Sequence, residues 1–177
     1  MQLLTPRLCF RPWRESDLAS FAAMNADPEV RRYFPGTQTR QESDASVARF
    51  RRHEDEQGFT FQATELRESG QFIGFVGLMR PGEGKGFPPG ALEAGWRLDR
   101  SVWGQGLATE GARAWVDYAF RELGVPAVGA ITTVENMPSR RVMEKLGMEF
   151  VREFLHPDID PAHPIAPHVL YLTPTRA

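Results

Sequence analysis

The hydrophobic positions of this chain follow two periods, and the change from one to the other between residues 98 and 107 sets its plan. Leu92, Ala94, Trp96 and Leu98 alternate with Glu93, Gly95 and Arg97, which is the two-residue period of a strand. Beyond Gly104-Gln105-Gly106 the small and apolar residues recur as pairs every four positions: Leu107/Ala108, Gly111/Ala112, Trp115/Val116 and Ala119/Phe120. That spacing lays one stripe along a helix. A strand that feeds a helix through small residues leaves backbone N–H groups free at the helix N-terminus, where the dipole also favours an anion such as a phosphate. Gly104 and Gly106 have no Cβ to hold a pyrophosphate off the backbone. Taken alone, the same glycine pair is also ordinary turn punctuation.

The flanking segments extend the pattern. A short strand is predicted around 7–10, closed by Pro12, and Ser16 stands where it can cap a helix carrying Leu18, Phe21 and Ala22. Asp27-Pro28 reads as a second cap with proline in the first turn, and Tyr33-Phe34-Pro35-Gly36 as a loop whose aromatics plug the core. Thr39 and Glu42 have capping-box spacing and open a helix of about four turns, whose thin apolar stripe marks it as a surface helix. Strands follow around Phe59, Phe61 and Ala63 and over 72–79, the second apolar enough to be buried on both faces. Residues 81–90 form a Pro/Gly-rich hairpin loop. Gly124-Val125-Pro126 stops the central helix, and 128–134 is a strand rich in β-branched residues. Asn136 caps a further helix that Gly147 ends. The remaining strands, 148–154 and 168–172, are separated by a proline-dense loop. A strand–helix–strand unit with this spacing predicts parallel strands joined by a right-handed crossover. The fold class is therefore α/β: a mostly antiparallel sheet of about seven strands with one parallel pair and helices on both faces.

Composition narrows the function. A chain of 177 residues predicts one domain over 1–177 with a substantial core. Charged residues at 25% and hydrophobic ones at 41% argue against disorder. A net charge of -2 without a dense Lys/Arg run argues against nucleic acid as the main partner. The single cysteine excludes an internal disulfide and fits a reducing cytosol, and Leu8-Cys9-Phe10 reads as strand packing rather than a nucleophile. No apolar run reaches the length of a membrane span, and the N-terminus lacks a signal-peptide layout. The expectation is a cytoplasmic protein, monomer or homodimer, with no membrane partner. His156, His163 and His168 have neither cysteine nor paired spacing beside them, so no metal site is expected.

Which phosphate ligand suits the central turn is narrowed by missing residues. A dinucleotide fingerprint needs glycine where Thr109 stands, and a Walker loop needs Lys and Ser/Thr where Ala112 and Arg113 follow Gly111. The run W-G-Q-G-L-A-T-E, led by Arg100, instead closely resembles the pyrophosphate loop of the GNAT N-acetyltransferases. The likeness is nearest to the branch that contains the ribosomal-protein N-terminal acetyltransferases. Many members carry Gln or Arg three residues before the first glycine, where this chain has Ser101. A second stretch, VENMPSRRVMEKLGMEF, resembles the family segment N-x-x-S-x-x-x-x-x-K-L-G-F/M. Thr5-Pro6-Arg7-Leu8, Arg11-Pro12-Trp13, Asp27-Pro28-Glu29-Val30, Phe72-Ile73-Gly74-Phe75 and His168-Val169-Leu170-Tyr171 look like the same branch, so the likeness covers nearly the whole chain.

The resemblance implies a splayed parallel pair with acetyl-CoA bound along it. Its cofactor positions carry over to Trp96, Leu98, Arg100, Trp103, Gly104, Gln105, Gly106, Leu107, Ala108 and Thr109, and to Asn136, Ser139 and Met143 on the second motif. Asn136 would bond pantetheine or order a water, and Ser139 would reach the sulfur side; from the residues alone they are an N-cap and a first-turn residue. Many members place a tyrosine at Met143 as general acid, and methionine cannot donate a proton.

The reaction itself needs a neutral amine, hence a general base. Glu93 is the leading candidate, on the strand face opposite Trp96 unless Gly95 marks a bulge; its other reading is an exposed strand carboxylate. The catalytic set is then Glu93, Asn136 and Ser139. Glu110 is expected to brace the loop, and backbone N–H groups of the cofactor strand to hold the oxyanion. Arg100, Arg140, Arg141 and Lys145 cluster near the two motifs as phosphate partners. His168, Trp13, Phe34 and the 156–167 loop can edge a pocket for a small-molecule or peptide amine. The activity implied is acetyl transfer to a primary amine, the alternative a non-catalytic acyl-CoA sensor.

Overall fold

The computed structural model describes residues 3–175. Eight strands form one sheet in the order β1-β2-β3-β4-β5-β6-β8-β7. Their spans are β1 Leu3–Leu4, β2 Leu8–Arg11, β3 Phe61–Leu66, β4 Phe72–Met79, β5 Leu92–Leu98, β6 Val128–Thr133, β7 Glu149–Leu155 and β8 Pro167–Leu172. All neighbours are antiparallel except β5 and β6. The extra strand over the expected seven is the two-residue β1, too short to carry an alternation.

Four α-helices cover the sheet: α1 Asp17–Ala26, α2 Arg40–Gln57, α3 Leu107–Arg121 and α4 Met137–Lys145. The strands' alternation sorts the two cores. Val76, Leu78, Leu92, Ala94 and Leu98 pack with Leu107, Trp115 and Met143 beneath α3 and α4. Phe75, Ala63 and the partly buried Phe61 pack on the other face with Phe21, Met24, Val47 and Phe50 of α1 and α2. α2 has the full capping box at Thr39 and Glu42, and Gly58 and Gly147 take left-handed φ where α2 and α4 end.

Two helix starts differ from the sequence reading. Ser16 makes no side-chain cap; the carboxylate of Asp17 accepts from Arg14 N–H instead, because it is fixed by the buried Arg11. Arg11 bridges Asp17 at 2.7 Å and Glu65 at 2.6 Å, tying α1 to β2 and β3. Asp27-Pro28 opens only a series of turns, with Asp27 accepting from Glu29 N–H. Phe59 precedes β3 rather than opening it.

The turn ahead of α3 is anchored from the far end of the chain. Glu110 accepts from the hydroxyl of Thr5 at 2.6 Å, the backbone N–H of Arg7 at 3.0 Å and Arg7 Nε at 2.6 Å. Arg7 Nη1 also donates to the carbonyl of Gln105 at 3.0 Å, so one arginine spans loop and helix. Burial alone would raise the Glu110 pKa, but the bonds from Thr5 and Arg7 outweigh it and hold the group below the ordinary carboxylate value. The bracing role expected of Glu110 is the one its contacts define. A depressed acid pKa stabilises the fold above the unfolded value near 4.5 and loses that contribution as pH falls through the folded value. Glu110→Gln is therefore expected to lower stability by about 1–2 kcal/mol at pH 7, with the gap to wild type closing below pH 4.5, as read by denaturant unfolding across pH.

Candidate active site

Pairing between β5 and β6 covers two positions only, Leu92 with Val128 and Glu93 with Gly129, after which the strands part. The open edge can be read from the bonds at its two ends. Leu92 N–H donates across to Ala127, while Asp99 N–H donates the other way to Ile73 of the β4 side. Alternation along the strand then aims the N–H groups of Trp96 and Leu98 into the gap. The carbonyl of Leu98 on that edge is taken by Trp103 Nε1 at 2.8 Å. The β4–β5 register runs unbroken from Gly74–Leu98 to Met79–Glu93, so no bulge occurs at Gly95 and Glu93 and Trp96 do lie on opposite faces. Gly95 serves contact instead: a Cβ there would sit 2.5 Å from the ring of Phe61.

A groove of about 940 Å³ passes through this gap and joins the two faces of the sheet. On the α3 side it is lined by Trp96, Leu98, Trp103, Gly104, Gly106, Leu107, Ala108 and Thr109, with Asn136, Ser139, Arg141 and Lys145 opposite. The first intrahelical bond of α3 runs from Glu110 N–H to the carbonyl of Gly106. The amides just ahead of it, through Thr109, therefore have no helical acceptor. Gly104 and Gly106 both have φ of +77°, and a Cβ on Gly104 would meet nothing within 4 Å. Glycine is thus needed for the left-handed turn, and the space above the turn is open. The adjacent amides, this open cradle and two cations on α4 fit a pyrophosphate, and the unpaired strand edge fits a polar chain with a carbonyl.

Three residues expected at the cofactor lie outside the groove lining. Arg100 leans away to Asp27, at 3.6 Å. The side chain of Gln105 folds back to the carbonyl of Ser101, leaving only its backbone in the loop. Met143 is fully buried in the core beneath α4, whose groove face carries Ser139 and Val142 instead. Arg140 also turns away, to Tyr171 and the carbonyl of Val134. Asn136 lines the groove but is committed as a cap: its Oδ1 accepts from Ser139 N–H and its Nδ2 donates to Thr132.

On the α1/α2 side the groove is walled by Phe34, Phe61, Phe75, Lys85, Glu93, Arg97, His156, Ile159 and His168. Phe34 is thus a wall rather than a core plug. Trp13 is not part of it; it is buried and donates to the carbonyl of Phe61. Glu93 is mostly buried and pairs with Lys85 Nζ at 3.1 Å. Burial raises its pKa, and the charge and hydrogen bond of Lys85 partly offset that rise. His156 and His168 lie with ring centroids 4.8 Å apart. Burial, then the neighbouring His168 and Lys85, pushes His156 down to about 4, and burial likewise lowers His168, so both rings are neutral near pH 7. Lys85 and Arg97 went unnoticed in the sequence. Lys85 belongs to the 81–90 loop, which carries no periodic signal, and Arg97 occupies a strand position where a charge ordinarily marks the solvent face. Among the described residues, no group of three or more His, Cys, Asp and Glu is placed to hold a metal ion, and no helix is long and apolar enough to cross a membrane.

Comparison with known proteins identifies the fold and the family. The family model described as "Acetyltransferase (GNAT) domain" matches residues 7–149. The protein YkkB of Bacillus subtilis (strain 168) is 31% identical over 150 residues, covering 84% of this chain and 86% of its own. A GNAT-family acetyltransferase from Bacillus anthracis superposes with a TM-score of 0.81 at 24% identity, over 97% of both chains. The structure titled RimL, a ribosomal L7/L12 α-N-protein acetyltransferase in complex with coenzyme A, superposes at 0.77 with 14% identity, over 97% of both chains. With most of its length matched by the family model, this chain belongs to the GNAT acetyltransferases, enzymes that transfer an acetyl group from acetyl-CoA.

Proposed function

We propose that the chain binds acetyl-CoA with its pyrophosphate on the amides of 104–109, and acetylates a primary amine held on the α1/α2 side, with Glu93 as proton acceptor. The observation that carries this reading is the single groove running from the α3 turn through the β5/β6 gap to Glu93. The cofactor, when bound, supplies an activated acetyl group as a thioester. Gly104 and Gly106 admit the diphosphate against the backbone, and Arg141 and Lys145 add positive charge from α4. Trp96 and Leu98 present fixed N–H groups where negative charge grows on a carbonyl oxygen, an arrangement that needs no reorganisation during reaction.

An amine with a pKa near ~8–10 arrives protonated. The Glu93 carboxylate, whose pKa is raised by burial and partly offset by Lys85, accepts that proton directly or through one water. The freed amine nitrogen forms the new N–C bond as the thioester C–S bond breaks, the electron pair leaves with sulfur, and the second nitrogen proton passes to the departing thiolate to give the amide and a free thiol. A thiol pKa near ~8.5 lets the sulfur depart as thiolate, so burial of Met143 at the position of the usual acid does not block release. Ser139 lines the groove wall, and its hydroxyl is the group we assign to assist that departure. A lone buried cysteine fits the reducing cytoplasm as the setting for one domain of this kind.

Thiol release from acetyl-CoA with a panel of amines tests the reading; binding of acetyl-CoA with no release for any amine would leave a sensor in its place. Glu93→Gln is expected to lower kcat by about 100-fold or more while changing acetyl-CoA affinity little. In wild type kcat/KM falls as pH drops through the raised Glu93 pKa, and that limb is absent in the variant. Gly106→Asn tolerates the left-handed turn better than Gly106→Val, yet both place a side chain in the cradle. Calorimetry is expected to show at least about tenfold weaker coenzyme A binding for each, and unchanged affinity would remove the loop from the site.

A further inference from the structure

Arg97 is a cation that neither the fold nor the acetyl transfer described above accounts for. It shares a face of β5 with Glu93, four residues along, which is about 13 Å of extended strand. Its guanidinium carbon lies 4.2 Å from the ring centroid of Phe34 and 5.3 Å from that of Phe75. Nη1 donates to Asn25 Oδ1 at 2.8 Å. Asn25 is itself fully buried and donates to Ser43, which fixes its oxygen toward Arg97. Nε is buried with no partner. The charges acting on Arg97 are two further cations, Arg31 and Arg49; burial and these neighbours pull its pKa down to about 9, so it remains charged at neutral pH.

Among the described residues no carboxylate pairs with this half-buried guanidinium, which is held in the ligand groove by one neutral amide and two rings and so lacks the counterion that an arginine withdrawn from water ordinarily has. The two rings leave its charge uncompensated, and like-charged neighbours add to the cost. A bound anion supplies what is missing, and a planar fork is suited to a carboxylate. The wall between Arg97 and Glu93 is aromatic, from Phe34, Phe61 and Phe75, which suits an apolar spacer.

We propose that the acceptor is a primary amine that also carries a carboxylate, the carboxylate bound by Arg97 and the amine presented toward Glu93 and the β5/β6 gap. This rests on the acetyl-transfer reading for the fate of the amine, whereas the anion site rests on Arg97 and its surroundings. Matched pairs isolate the carboxylate: lysine, through its side-chain amine, against 1,5-diaminopentane, and 6-aminohexanoate against pentylamine. With acetyl-CoA and the full chain, the acid member of a pair is expected to have the higher kcat/KM by about 10- to 100-fold. Arg97→Gln is expected to collapse that ratio toward one, and Arg97→Lys to restore part of it. Equal kcat/KM within both wild-type pairs overturns the carboxylate site and leaves acetyl transfer standing, as does an Arg97→Gln variant that keeps the wild-type ratio. Calorimetric binding of 6-aminohexanoate and pentylamine to the wild-type chain reads the same site without turnover and without any variant. Tighter binding of the acid supports the proposal even if no thiol is released, and equal binding contradicts it.

Discussion

The parting of β5 from β6 after the Glu93–Gly129 pair is the constraint on which the rest depends. Each strand keeps its outer neighbour: β5 stays paired with β4 from Glu93 to Leu98, and β6 with β8 from Gly129 to Thr133. The sheet therefore remains continuous at one end and opens at the other, leaving the β5 edge beyond Glu93 unpaired with β6. Inside a folded domain unpaired strand-edge polar groups are costly unless water or a ligand reaches them. The groove supplies that access, and the partial closure of the edge by Trp103 shows how locally the opening is managed.

Opening the sheet also joins two environments that a closed sheet would keep apart. The α3 side offers backbone amides, left-handed glycines and α4 cations, all suited to a flexible polyanion. The α1/α2 side offers aromatic walls, a carboxylate paired with Lys85, two neutral imidazoles and Arg97. A donor bound on one side and an acceptor on the other meet only in the gap, so the division of labour follows from the two-residue period of β5. Glu93 and Arg97 face one way and Trp96 the other, without any bulge. The turn that receives the donor is in turn held by Thr5, Arg7 and Glu110, three side chains brought together from the connection between β1 and β2 and the first turn of α3.

Much of this was legible in the residues. The alternation of 92–98, the four-residue recurrence after Gly106, the Thr39 capping box and the Asn136 cap are local signals, and each element formed where its signal lay. Local logic failed where tertiary partners decide. Ser16 lost its cap to Asp17 because a buried arginine from β2 claimed that carboxylate. Arg100 and Arg140 sit beside the motifs in sequence, but their side chains reach Asp27 and Tyr171. Met143 keeps a motif position yet points into the core, one residue past Val142 and one helical turn past Ser139, both of which line the groove. Arg97 and Lys85 gave no signal because a charge on a strand or in a loop is normally solvated, and only the stacking of Phe34 on Arg97 and the pairing of Glu93 with Lys85 hold them in the groove wall.

Amide hydrogen exchange with and without acetyl-CoA tests the open edge directly. The N–H groups of Trp96 and Leu98, together with those from Gly104 to Thr109, are expected to gain protection on binding, while the amides paired between β4 and β5 stay as they were. Acetyl-CoA that binds and leaves all of those edge and turn amides unchanged would contradict a donor site in the gap.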